Sequence, residues 1–204
     1  MFHDLFKFKQ SDYVPDDNKG WCFGISYVLL SYLVNIQNSK QLSPDTSFYK
    51  SKEYLDKFNS ADSETKEKLI SVVAKVQKNN RSTYLSTQSY SMVNQSDANG
   101  YGILGLVYSP TKNNVDKLGH FYKNPLYPPN HGGVIVWSSS QIFIFDPNCG
   151  GYLYRCCLKP YEDTISQMAD KVLEGMYPAI GSSRFSRISL IERPTTYLSP
   201  AEIP

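Results

Sequence analysis

The chain has little of what a charged or membranous partner would recognise. Its 21 basic and 19 acidic residues leave a net charge of +2, and the lysines and arginines are interspersed with acids instead of forming a basic stripe with interleaved aromatics. No nucleic-acid partner is expected. Long apolar runs are missing as well: the longest, residues 27–34, is interrupted by Ser31 and falls well short of the roughly 20 residues that span a bilayer. Residues 1–10 mix apolar and charged side chains and lack the apolar centre of a secretory signal. The expectation is a soluble chain with no transmembrane segment. Cysteine is scarce, four in all, and two of these are the adjacent pair Cys156-Cys157. That is no disulfide framework and suits a reducing cytosol. Cys149, Cys156, Cys157 and His131 also miss the paired spacing of a zinc knuckle, so neither a metal nor a cofactor is expected.

What is present fits an ordinary globular fold. At 204 residues with 41% hydrophobic content, the chain is long enough for one domain with a sizeable core, placed at residues 1–192. Residues 193–204 carry three prolines and read as a disordered end or a linker. Helices come first. Residues 21–38 are apolar on all sides, which marks a central buried helix. A short helical stretch at 50–58 follows, and then Asp62 caps a helix with Leu69, Val72, Val73 and Val76 on one face. Residues 79–100 are polar and too long for an ordinary connection, which suggests a loop beside a cleft. Strands dominate afterwards, at 103–108, 134–137, 142–145, 152–156 and 184–191, with one helix from Pro160 carrying Ile165, Met168, Ala169, Val172 and Met176 on a face. The fold class is therefore α+β, a helical N-terminal part packed on a C-terminal antiparallel sheet. The 16 tyrosines and 10 phenylalanines are spread evenly and are assigned to the core and the cleft walls.

Three residues stand out chemically. Cys22 lies in Trp21-Cys22-Phe23-Gly24-Ile25-Ser26, where the central helix begins, and a positive helix end favours the thiolate. Gly20 and Gly24 are expected to leave room for a substrate backbone, with Trp21 and Gly132 lining the cleft. Downstream, His131-Gly132-Gly133 and Phe145-Asp146-Pro147-Asn148 flank a predicted hairpin. If it turns about Ser138 and Ser139, Ile135 faces Ile142, Gly133 faces Ile144, and His131 faces Asp146. Directly opposed residues share a face with β-carbons roughly 4.5–5.5 Å apart, close enough for a carboxylate to hold an imidazole. A slip of one residue would separate them onto opposite faces. Each residue has an ordinary explanation alone: Cys22 as a buried thiol, His131 as a strand start after Pro128-Pro129-Asn130, Asp146 as a turn former before Pro147. Together they read as nucleophile, base and orienter. His120 competes as base but has no carboxylate at hairpin spacing, and His3 is assigned to the surface.

Cys22 with Gly24 and Ser26, His131 heading an apolar strand, and Phe145-Asp146-Pro147-Asn148 with Gly150 close behind resemble the YopT/AvrPphB-type papain-like cysteine peptidases of bacterial effectors. The resemblance spans residues 17–151 in order of elements. It implies a papain-like catalytic domain, a Cys22-His131-Asp146 triad, and a thiol protease acting as a virulence effector on a host protein, secreted from a bacterium into the host cytosol. Papain-like enzymes also place an amide shortly before the cysteine to stabilise the oxyanion, which carries over to Asn18. The tryptophan common on the family's nucleophile helix is replaced here by Leu29, Leu30 and Tyr32, so substrate choice does not transfer. Similar folds also serve protein glutamine deamidases and transglutaminase-like acyl transferases on the same triad, and a catalytically idle domain that binds a host protein is a further alternative.

Overall fold

The computed structural model describes residues 2–13, 21–37, 42–79, 99–106, 131–155 and 190–204. The apolar run after Trp21 becomes helix α1 (Cys22–Gln37). Its lack of a polar face is matched by burial all round, with Phe23, Tyr27, Leu29, Leu30 and Leu33 almost wholly out of solvent. Helix α2 (Pro44–Ser60) begins earlier than the predicted stretch because Ser43 caps it, its Oγ accepting from the Thr46 N–H, and Pro44 sits where no amide hydrogen is needed. Helix α3 (Ser63–Lys78) starts at the expected cap, Asp62 Oδ1 accepting from the Thr65 N–H at 2.8 Å. Leu69, Val73 and Val76 of α3 are buried in the core that α1 shares.

Among the described residues six strands form one antiparallel sheet: β1 (Phe2–Lys7), β2 (Gly100–Leu106), β3 (His131–Trp137), β4 (Gln141–Asp146), β5 (Gly150–Arg155) and β6 (Leu190–Glu192). Their spatial order is β1-β5-β4-β3-β2-β6. The architecture is α+β, and β3 and β4 occupy the middle of the sheet. One sheet face, with Val134, Val136, Phe143, Phe145 and Leu153, joins the core built on α1 and α2. The other, with Leu104, Ile135, Ile142, Ile144 and Tyr154, is equally closed to solvent. Strands buried on both faces have no polar alternation, which explains the unbroken apolar runs of β3 and β4.

Strand β1 was not expected. Phe6 and Phe8 are buried while Leu5 and Lys7 face outward, a period-two pattern too short to stand out among the charges of the N-terminus. It pairs along β5, where Gly150 has φ +111° and a β-carbon would collide with the Phe6 carbonyl oxygen.

Residues 193–204, expected to be a tail or linker, instead run against α1. Tyr27 Oη donates to the Thr196 carbonyl at 2.6 Å, Asn35 Nδ2 donates to the Leu198 carbonyl at 2.8 Å, and the Leu198 N–H donates to Ser31 Oγ at 3.2 Å. Leu198 is buried in the core. Ser31, which interrupts the longest apolar run, is the polar group that receives this segment. Several predicted features lie outside the described residues: the polar loop over 80–98, His120, the helix from Pro160, Cys156 and Cys157, and all of the predicted 184–191 strand before Leu190. Among the described residues no helix is long and apolar enough to cross a membrane.

Candidate active site

Strand β3 begins with His131 and its neighbour β4 ends with Asp146, so antiparallel pairing brings both to the same end of the sheet. The register differs from the one expected. Ile135 lies opposite Ile144 and Trp137 opposite Ile142, two residues along from the predicted pairing. The turn decides this: the Ser138 N–H donates to the Gln141 carbonyl at 2.8 Å and Ser138 Oγ accepts from the Gln141 N–H at 3.2 Å, leaving Ser139 and Ser140 as a two-residue loop. An even shift leaves every side chain on its original face. His131 and Asp146 are therefore diagonal neighbours instead of directly opposed ones, within reach of long side chains. His131 Nε2 lies 2.9 Å from both Asp146 oxygens.

Asp146 is fully buried, and its Oδ1 also accepts from the Asn148 N–H at 2.7 Å. With Nε2 engaged by the carboxylate, Nδ1 is the ring nitrogen left to interact with the Cys22 thiol, whose ionisation is coupled to that of His131. Burial alone would push the imidazolium down in pKa. The Asp146 charge and hydrogen bond, with those of Cys22, outweigh it and hold His131 up at about 10. Burial would likewise raise the Cys22 thiol, but the hydrogen bond and charge of His131 and an amide contact from Gly132 bring it below the ordinary range. Both shifts act toward a thiolate beside an imidazolium, with Asp146 behind it.

Cys22 is the first residue of α1, so the helix end adds to this preference. Two contacts fix where that end sits. Ser26 Oγ, one turn in, donates to the Gly132 carbonyl at 3.2 Å. Gly132, expected to line the cleft, is buried under the helix start, where a β-carbon would stand 3.4 Å from Phe23 Cα. Gly24 also has a different job from the one expected. A β-carbon there would be 2.5 Å from the Val73 carbonyl oxygen, so the glycine permits the close crossing of α1 and α3 and does not open space for a substrate. Trp21, the residue before Cys22, is half-buried and lines a small apolar cavity with Phe8, Ile25 and Phe58.

The amides of the helix start are divided among side chains. The Trp21 N–H donates to Gln10 Oε1 at 3.0 Å and the Gly24 N–H to Gln77 Oε1 at 2.8 Å. Among the described residues nothing accepts from the Cys22 N–H, which stands beside its own thiol. Asn18, the amide suggested for that role, and Gly20 lie outside the described residues. Gln10 and Gln77 were not singled out in the sequence, since a glutamine that reaches a distant helix end leaves no local pattern. No group of three or more potential metal ligands occurs among the described residues. Compared with protein-family models, curated proteins and solved structures, the chain matches none.

Proposed function

We propose that this chain is a thiol-dependent hydrolase acting on a protein, in its simplest form a cysteine protease with a papain-like catalytic plan. The observation that carries the reading is the buried His131–Asp146 pair at 2.9 Å, whose histidine favours ionisation of the helix-start thiol Cys22. Each group has a step. The Cys22 thiolate attacks the carbonyl carbon of the substrate amide, and the resulting oxyanion accepts from the Cys22 N–H. The His131 imidazolium gives its proton to the departing nitrogen, the carbon–nitrogen bond breaks, and a thioester remains on Cys22. Neutral His131 then takes a proton from water, whose oxygen adds to the thioester carbon. Collapse expels the thiolate and releases the acid. Asp146 keeps the ring in one tautomer and offsets its charge throughout.

The resemblance of Cys22, His131 and Asp146 in order to the YopT/AvrPphB-type peptidases supports the same reading and adds a host protein as substrate and delivery from a bacterium. Deamidation of a glutamine or transfer to an amine would use the same three residues, the outcome depending on which group leaves and which enters. The test is labelling by an electrophilic cysteine probe followed by intact-mass analysis of treated candidate substrates. Labelling of Cys22 that is lost in Cys22→Ala, together with two shorter products, supports a protease. A whole substrate about one mass unit heavier identifies a deamidase. Equal labelling of parent and Cys22→Ala overturns the nucleophile, and a partner that still binds Cys22→Ala with no product of any kind indicates a binding domain.

A further inference from the structure

Beyond the triad, one side chain connects its two sequence-distant halves. Gln10 lies in a single 3-10 turn (Gln10–Asp12) that follows β1. Its backbone N–H donates to the Pro147 carbonyl at 2.7 Å, which seats it on the turn directly after Asp146. Its carboxamide then reaches in two directions. Nε2 donates to Asn148 Oδ1 at 2.5 Å, and Oε1 accepts from the Trp21 N–H, one residue before the nucleophile, at 3.0 Å. Asn148 in turn donates its own N–H to Asp146 Oδ1. A chain of hydrogen bonds therefore runs from the start of α1 through Gln10 and Asn148 to the carboxylate that holds His131.

We propose that Gln10 is a positioning residue, a clamp that sets the start of α1 against the Asp146–Asn148 turn and thereby fixes Cys22 relative to His131. The proposal rests on the reading of Cys22 as nucleophile. Its physical basis is that the hairpin alone fixes His131 to Asp146, while the position of Cys22 depends on how helix and sheet are held together. Ser26 on Gly132 restrains the helix one turn in, and Gln10 restrains it at the residue before the thiol. Gln10 fills the Trp21 N–H and Gln77 the one at Gly24, so neither takes the Cys22 N–H. A displacement of a fraction of an ångström at the sulfur is enough to weaken the thiolate–imidazolium pair.

The experiment compares the parent with Gln10→Ala, Gln10→Met, Asn148→Ala and the Gln10→Ala/Asn148→Ala double variant. The rate of iodoacetamide alkylation at the Cys22 peptide is followed by mass spectrometry across pH, with thermal unfolding measured alongside. Gln10→Met keeps the length of the side chain and removes its hydrogen bonds. Each single variant is expected to slow alkylation at pH 6 about tenfold and to move the rate profile toward higher pH, the size of one lost hydrogen-bonded link. The double variant should lose no more than a single one, since both residues belong to one chain of contacts. Variants that melt lower but keep the parent profile, or losses that add in the double variant, overturn the clamp. If the parent itself titrates as an ordinary thiol, the nucleophile reading falls and the clamp with it. A depressed parent profile left unmoved by Gln10→Ala overturns the clamp alone.

Discussion

Replacing Asp146 by asparagine keeps the shape of the side chain and an oxygen for the Asn148 N–H, and removes the charge behind His131. Opposite unit charges 2.9 Å apart attract by roughly 6 kcal/mol at an effective dielectric constant of about 20. Much of that offsets the desolvation of two groups that are 6% and 0% exposed. Removing one partner of such a buried pair costs about 3–5 kcal/mol, and the lower figure corresponds to roughly a hundredfold shift in protonation. Without the carboxylate, burial dominates at His131 and lowers its pKa, so the thiol loses its cationic partner and burial raises it in turn. The assay is alkylation of Cys22 by iodoacetamide from pH 5 to pH 10, with thiolate absorbance in parallel and Cys22→Ala as the blank. Asp146→Asn should react about 100-fold more slowly than the parent at pH 6, with its profile displaced to alkaline pH and the two rates converging near pH 10. Superimposable profiles from a folded variant would refute the electrostatic account of the site.

The same pair has a signature in stability. His131 carries a raised pKa, so its contribution is complete below about pH 6.5 and fades as pH rises toward 10, whereas the lowered Cys22 contributes above its unfolded value near 9 and fades as pH falls. Where the folded thiol has ionised and the unfolded one has not, the two contributions oppose each other and the stability of the parent should change little with pH. Cys22→Ala should instead lose stability with rising pH, by up to about 1.4 kcal/mol per pH unit, in urea unfolding at pH 7, 8 and 9; a flat response in that variant would contradict the assignment. Gly24→Ala pushes a methyl group to within 2.5 Å of the Val73 carbonyl oxygen, and should cost about 1–3 kcal/mol in the same assay, with no loss pointing to an open helix crossing. Leu198→Ala should cost about 2–4 kcal/mol if residues 193–204 belong to the folded unit, while a neutral result would return them to the status of a tail.

Much of the site was legible because it depends on local patterns. Cys22 at the head of a uniformly apolar stretch marks a helix start, and Asp62 ahead of Leu69, Val73 and Val76 marks another. Two apolar runs around Ser138–Gln141 mark a hairpin, and parity alone keeps His131 and Asp146 on one face. That parity survived the two-residue error in register, because side chains alternate with period two and the error was even. The turn itself was not legible, since which of three successive serines closes it depends on the Ser138 hydroxyl and its partner Gln141.

What only the tertiary structure decided are the contacts between segments far apart in the chain. Gly24 serves α3 and not a substrate, Gly132 lies beneath the helix start, Ser31 and Asn35 receive the C-terminal segment, and Gln10 bridges Trp21 to Asn148. None of these has a local signature, because a glycine or an amide looks the same in sequence whatever lies across from it. The sequence by itself determined which residues are candidates for the chemistry and which face of the hairpin His131 and Asp146 share, since periodicity is written in neighbouring positions. The distance between the helix that holds the thiol and the strands that hold the imidazole and carboxylate is set by packing alone.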